Sequence, residues 1–174
     1  MKKLFLLLAL SFWAAGLSAQ KKQSAEDVKI MQAINQLIST KAFTFHANKI
    51  LSSNAANQAS FLTHMNTLQV TKDSVVVRLP YVGQAFTSSD FGNNKNPLSF
   101  TSKDFTYDLQ SNKRGDRIIT MDVKSPHGSD RLTFTIVVGQ GINAKLIVNQ
   151  ISRSTMQFSG YIQGTRRLKT TETN

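Results

Sequence analysis

From Val28 onward the apolar residues fall three and four apart: Val28, Met31, Ile34, Leu37, Ile38 and Ala42. That spacing draws one stripe along an amphipathic helix, which the pattern ends near Lys41. Ser24-Ala25-Glu26-Asp27 suits its start, because Ser24 can accept from the backbone N–H of Asp27 and both acids sit at the positive end of the helix. At Phe43 the period drops to two. Phe43 and Phe45 alternate with Thr44 and His46 in a strand that runs to about Ile50. Ser52 to Ser60 reads as a loop, and His64 to Val70 as the next strand. Thr71-Lys72-Asp73 turns the chain into Ser74–Pro80, where Val75, Val77 and Leu79 face one way and Ser74, Val76 and Arg78 the other. Gly83 to Pro97 is a long irregular stretch rich in Gly, Asn, Ser and Asp, with Phe86 and Phe91 inside it.

The C-terminal half is a series of alternating runs. Phe105, Tyr107 and Leu109 alternate with Asp104, Thr106 and Asp108, and Asn112-Lys113-Arg114-Gly115 makes a turn. Ile119, Met121 and Val123 point inward on the strand from Arg117. Ser125-Pro126-His127-Gly128 turns the chain again, and Leu132, Phe134, Ile136 and Val138 line one face of the following strand. Gly139-Gln140-Gly141 is a tight connection. Leu146 and Val148 mark one further strand, and Met156, Phe158, Gly160 and Ile162 the last. Short strands joined by turn residues predict an antiparallel meander with one wet face and one packed face.

The N-terminus changes the composition. Lys2 and Lys3 precede an unbroken apolar run from Leu4 to Leu10 that continues through Phe12, Trp13, Ala14 and Ala15, and Gly16-Leu17-Ser18-Ala19 is a small-residue exit before Gln20. This is the order of a secretory signal peptide, and the run is too short and wrongly flanked for a spanning helix. Residues 1–19 are therefore expected to be a cleaved leader, residues 20–164 a single domain, and residues 165–174 a polar, frayed tail. The full chain of 174 residues has 21 Lys+Arg against 10 Asp+Glu, net +11, and no cysteine. Without Lys2 and Lys3 the remaining 155 residues carry 19 basic and 10 acidic side chains, net +9. The absence of Cys excludes disulfides, thiol chemistry, Cys-ligated metal and a lipid anchor at the cleavage point.

Val75-Val76-Val77-Arg78-Leu79-Pro80-Tyr81-Val82-Gly83 resembles the signature of the domain-of-unknown-function 4251 family, whose LPY-x-G segment matches Leu79, Pro80, Tyr81 and Gly83. The resemblance extends through Leu98–Ser102, Ile118–Val123, Leu132–Gly141 and Ser154–Ile162, the last with an aromatic-x-Gly-x-Ile pattern at Phe158, Gly160 and Ile162. It covers about Phe43 to Ile162 and implies an exported α+β domain; it brings no activity and no catalytic residue. Read from the residues, Pro80 stops a strand, Tyr81 supplies a ring with a polar tip and Gly83 permits a positive φ. Tyr81 is then either an anchor at a structural corner or a lining residue under the following loop. Tyr81, Gly83, Phe86 and Phe91 form the candidate ligand or partner surface.

No motif assembles a catalytic set. His46, His64 and His127 lack ligand partners at helical spacing, so no metal and no cofactor is expected. After the leader only Glu26 and Glu172 are glutamates, both near the termini. Asp104 and Asp108 share a face of the expected strand about 13 Å apart, beyond either glycosidase geometry. The lysines and arginines are scattered, and export removes the usual nucleic-acid targets, so the excess charge reads as solubility or attraction to an anionic envelope surface. An outer-membrane barrel is set aside because the mature chain has no Trp, three Tyr and charged outer faces.

The expected fold is α+β: an N-terminal amphipathic helix on a curved, mostly antiparallel meander of about seven to nine strands, open or partly closed into a barrel. The expected function is that of an exported, periplasmic or secreted, non-enzymatic module that binds an envelope component or a small ligand, without nucleic acid and without spanning the membrane. The competing expectation is a hydrolase of envelope polymers whose active site no motif advertises.

Overall fold

The computed structural model describes residues 25–51, 60–82, 98–126 and 131–165. Residues 1–24, 52–59, 83–97 (with Gly83, Phe86 and Phe91), 127–130 and 166–174 lie outside the described residues, and with them the expected leader, the Ser125–Gly128 turn in part and the expected tail.

Helix α1 spans Ala25–Ser39. It ends in a Schellman turn: Ala42 N–H donates to the Leu37 carbonyl at 3.0 Å and Lys41 N–H to the Ile38 carbonyl at 3.1 Å. Lys41 takes the left-handed position at φ 53°. Its ammonium lies 4.9 Å from the centre of the Tyr107 ring. The Tyr107 hydroxyl donates to the Ile38 carbonyl at 2.9 Å. Burial pushes that phenol above its ordinary value of 10.0, so it stays a donor at any pH at which the chain is handled.

Among the described residues nine strands follow: β1 (Phe43–Ile50), β2 (Ser60–Val70), β3 (Val75–Arg78), β4 (Ser99–Ser102), β5 (Asp108–Ser111), β6 (Arg117–Lys124), β7 (Arg131–Val138), β8 (Asn143–Gln150) and β9 (Arg153–Gly164). They form one antiparallel sheet in the order β4-β3-β2-β1-β9-β8-β7-β6-β5. The sheet is thus two meanders, β1–β4 and β5–β9, joined where the first strand pairs with the last. The joint runs from Phe43↔Gly164 to Ile50↔Phe158.

The curl of this sheet follows from its connectivity. β4 and β5 are at opposite edges, yet only a few residues separate them in the chain. Ser102, paired with Val75 of β3, donates its hydroxyl to the Asp104 carbonyl at 3.2 Å. That same carbonyl accepts from Lys124 N–H of β6 at 3.0 Å. A flat nine-stranded sheet would hold its edges some 38 Å apart at roughly 4.8 Å per strand. The twist therefore swings one corner of the β4 edge onto one corner of the β5 edge, and the sheet becomes a half-barrel.

Its inward face carries the core. Phe43, Phe45, Leu68, Val70, Val75, Val77, Ile119, Met121, Val123, Phe134, Ile136, Val138, Leu146 and Phe158 are all fully buried. Ile34 and Ile38 of α1 belong to the same core, with Leu37 packed beside it. The helix therefore covers the inward face with the C-terminal part of its stripe, while Val28 near its start is 40% exposed. Arg117 is buried at the inward end of β6, where its guanidinium donates to the Gly139 carbonyl at 3.0 Å and ties the β7–β8 turn to β6.

Several expected boundaries shift. β2 begins at Ser60, earlier than the His64 start that alternation suggests, because its first residues are held by pairing with Ile50 and Lys49 of β1. β4 is a strand that its short pattern did not announce; Phe100 supplies its apolar inward contact. The expected strand at Asp104–Leu109 is broken. Phe105 makes a lone bridge to Val123 and β5 starts only at Asp108, although both pairs keep one antiparallel register with β6. Leu109 is not inward but 38% exposed, because β5 lies at the sheet edge with nothing packed over it among the described residues.

Candidate functional site

Of the expected surface of Tyr81, Gly83, Phe86 and Phe91, only Tyr81 lies within the described residues. Its ring is half-buried against the core. Its hydroxyl accepts from the Ser154 backbone N–H at 3.1 Å, and the Arg153 guanidinium lies 5.3 Å from the ring centre. Tyr81 thereby pins the end of β3 to the start of β9, with β2 and β1 between them in the sheet. Just before it, Leu79 N–H donates to the Leu98 carbonyl at 2.9 Å and closes the base of the excursion between β3 and β4.

Asp104 and Asp108 do not share a strand. Asp104 precedes β5 and pairs with Arg131 at 3.3 Å, while Asp108 accepts from Gln110 at 2.7 Å. Both interactions are exposed. Among the described residues no group of three His, Asp or Glu side chains is placed to hold a metal ion.

Among the described residues, polar side chains gather around a hollow on the outer side of the sheet. A groove of about 460 Å³ is lined by Thr44, His46, Thr67, Gln69, Arg78, Gln163 and the Gly164–Thr165 backbone end. Registers explain the set. Arg78 pairs with Thr67, Thr67 with His46 and His46 with Tyr161, so these four form one outward row across β3, β2, β1 and β9. Gln69, Thr44 and Gln163 form the adjacent row. Facing side chains in such rows stand about 5 Å apart and act as one surface.

His46 lies outward, as its alternation predicts, but it is not simply solvated. The Tyr161 ring stacks on it at 5.0 Å with an interplanar angle of 12°. Tyr161 covers one face of the imidazole, and the other face walls the groove toward Thr67. Partial burial lowers the His46 pKa from its ordinary 6.5, so the ring is neutral at pH 7. Thr44 and Thr165 hydroxyls are 3.5 Å apart. The side chains of Thr67, Gln69, Arg78 and Gln163 make no hydrogen bond among the described residues.

A second, shallower hollow of about 400 Å³ lies on the same outer face, lined by Asn48, Val137, Asn143, Ala144, Lys145, Ser159 and Gly160. Asn143 pairs with Tyr161, so the His46–Tyr161 stack stands between the two depressions. Neither is lined by a carboxylate. The alternation in the sequence places the polar side chains of the two sets outward on their own strands, whereas Ala144 and Gly160 are inward positions. It does not bring them together, because the pairing of β1 with β9 is set by tertiary packing.

No described helix is long and apolar enough to cross a membrane. Comparison with curated proteins finds no match. Among solved structures, the crystal structure of a DUF4251 family protein from Bacteroides eggerthii DSM 20697 is similar, with 20% identity, a TM-score of 0.53, and coverage of 83% of this chain and 92% of that one. That likeness concerns the fold. The family model described as Domain of unknown function (DUF4251) matches residues 25–162, which take in α1, all but the last residues of β9 and every groove strand, and the chain belongs to that family.

Proposed function

We propose that this chain is an exported, non-catalytic binding module that holds its ligand on the outer face of the half-barrel. The observation that carries the reading is the contrast between the two faces. The inward face, where a curved sheet ordinarily holds a ligand, is filled by aromatic and aliphatic side chains and by α1. The outer face presents a groove whose amides and guanidinium are not consumed by one another. Polar groups that already stand in cross-strand rows need little ordering when a ligand arrives, which lowers the cost of binding.

Export rests on the leader pattern of residues 1–19, with cleavage after Ala19. A periplasmic or secreted location would place the groove among envelope components. Chemical-shift mapping of the isotope-labelled protein against fractionated envelope extract tests the binding reading. Perturbations confined to Thr44, His46, Gln69, Arg78 and Gln163 are expected. A protein whose groove resonances stay still in every fraction refutes it. Sequencing of the exported product from Gln20 tests the leader.

A further inference from the structure

Resting on that reading of the outer face, we infer that the ligand is an acidic polysaccharide laid across the strands from Arg78 to Lys145. Arg78 of β3 stands in the groove and Lys145 of β8 in the second hollow, with the His46–Tyr161 stack between them on β1 and β9. From β3 to β8 the sheet passes through β2, β1 and β9. The two cations are therefore four strand spacings apart, about 19 Å at roughly 4.8 Å each. One strand spacing is comparable with the length of one pyranose unit, so a sugar chain crossing the strands meets a new row of side chains at each residue.

The chemistry of the strip selects among polymers. Thr67, Gln69, Thr44, Gln163 and Asn143 offer hydroxyls and amides that both donate and accept, which suits sugar hydroxyl groups. The paired rings of His46 and Tyr161 rise from the sheet as an apolar ridge against which the C–H face of a sugar can pack. Arg78 and Lys145 are exposed, one at each end, and no carboxylate lines either hollow to repel an acid. A guanidinium and an ammonium facing solvent, with no carboxylate in the lining, favour carboxylate-bearing sugars over neutral ones.

The test is isothermal titration of the purified protein with three probes: a hexauronide, a neutral hexaglucan and a single-stranded hexadeoxynucleotide, each with shift mapping. The hexauronide is expected to bind and to perturb His46, Tyr161, Gln163 and Asn143. Arg78→Ala and Lys145→Ala are each expected to weaken it about ten-fold, the equivalent of one lost charged contact. Lys113→Ala removes the same charge from the β5–β6 turn, away from the strip, and is expected to leave binding unchanged. Equal weakening by all three substitutions would show attraction to net charge alone and overturn the inference. So would a nucleotide that binds as tightly as the hexauronide. Binding of only the neutral glucan, with shifts in the groove, would overturn the acidic ligand class while upholding the binding module. Silence of the groove toward all three probes overturns the polysaccharide inference; only silence toward envelope extract as well removes the module.

Discussion

Gly160→Ala is the substitution for which the structure sets the sharpest expectation. Gly160 lies inward on β9, opposite Ala47 of β1 and Ala144 of β8. A methyl group there would run into the His46 carbonyl, with the carbonyl carbon at 2.8 Å and the Phe45 ring tip at 3.0 Å. Neither neighbour yields easily. The His46 carbonyl is backbone in a central strand, and Phe45 is fully buried. The close approach arises from a bulge: the register passes from Ala47↔Gly160 to Lys49↔Ser159, leaving Asn48 as the extra residue on β1. The bulge also reverses the parity of β1, so that Phe43, Phe45 and Ala47 are followed inward by Ile50. Pushing β1 away from β9 would open the one seam that joins the two meanders. Overpacking typically costs about 1–3 kcal/mol, and rigid backbone as the neighbour puts this site at the upper end, about 3 kcal/mol. For a domain of this size that corresponds to a fall in Tm of roughly 6–12 °C, at about 2–4 °C per kcal/mol. Circular dichroism is the suitable readout, since the only Trp, Trp13, lies outside the described domain. Gly139→Ala is the control, because a methyl there meets nothing nearer than the Asp116 carboxylate at 3.9 Å. A Gly160→Ala protein that melts within about 1 °C of the parent would refute the close approach and the bulge-and-glycine account with it.

The other expectations concern the helix and the groove. Tyr107→Phe removes the hydroxyl that donates to the Ile38 carbonyl, and urea unfolding should show a loss of about 1 kcal/mol, modest because Lys41 N–H still serves that carbonyl. Lys41→Gly should be more stable than Lys41→Ala by about 1 kcal/mol in the same assay, since both lose the contact with Tyr107 and only glycine adopts the left-handed position without strain. His46 is lowered in the folded chain, so the unfolded chain binds its proton first as pH falls. Its contribution to stability is present above pH 6.5 and is lost on acidification through the folded value. His46→Gln should flatten Tm against pH in that window, and an unchanged slope would show that the imidazole is not desolvated.

Much of this molecule is legible as local pattern. The 3.6 period from Met31 to Ile38 specifies a helix with one apolar stripe, and the period of two in Leu132–Val138 and Met156–Ile162 specifies strands with one buried face. These signals survive because each depends only on neighbours in the chain and on which side of an element meets water. The segment around Asp104–Leu109 read less well. Its alternation is real, but whether a strand is covered or left at an edge depends on what packs over it, and β5 was left bare.

The groove belongs almost wholly to the tertiary structure. Arg78, Thr67, His46 and Tyr161 each announce an outward position, and nothing in their spacing says that they stand in one row. That row exists because β1 pairs with β9, a contact between the two ends of the domain stabilised by burying Phe43, Phe45, Phe158 and Ile162 on the opposite face. Alternation along one strand decides which side chains leave the core. The register between strands, set by the core, the Asn48 bulge and the missing side chain of Gly160, decides which of those side chains meet outside it. By itself the sequence determined a helix, a set of strands and the polarity of each face. Only the folded sheet decided which outward side chains stand together in rows across neighbouring strands.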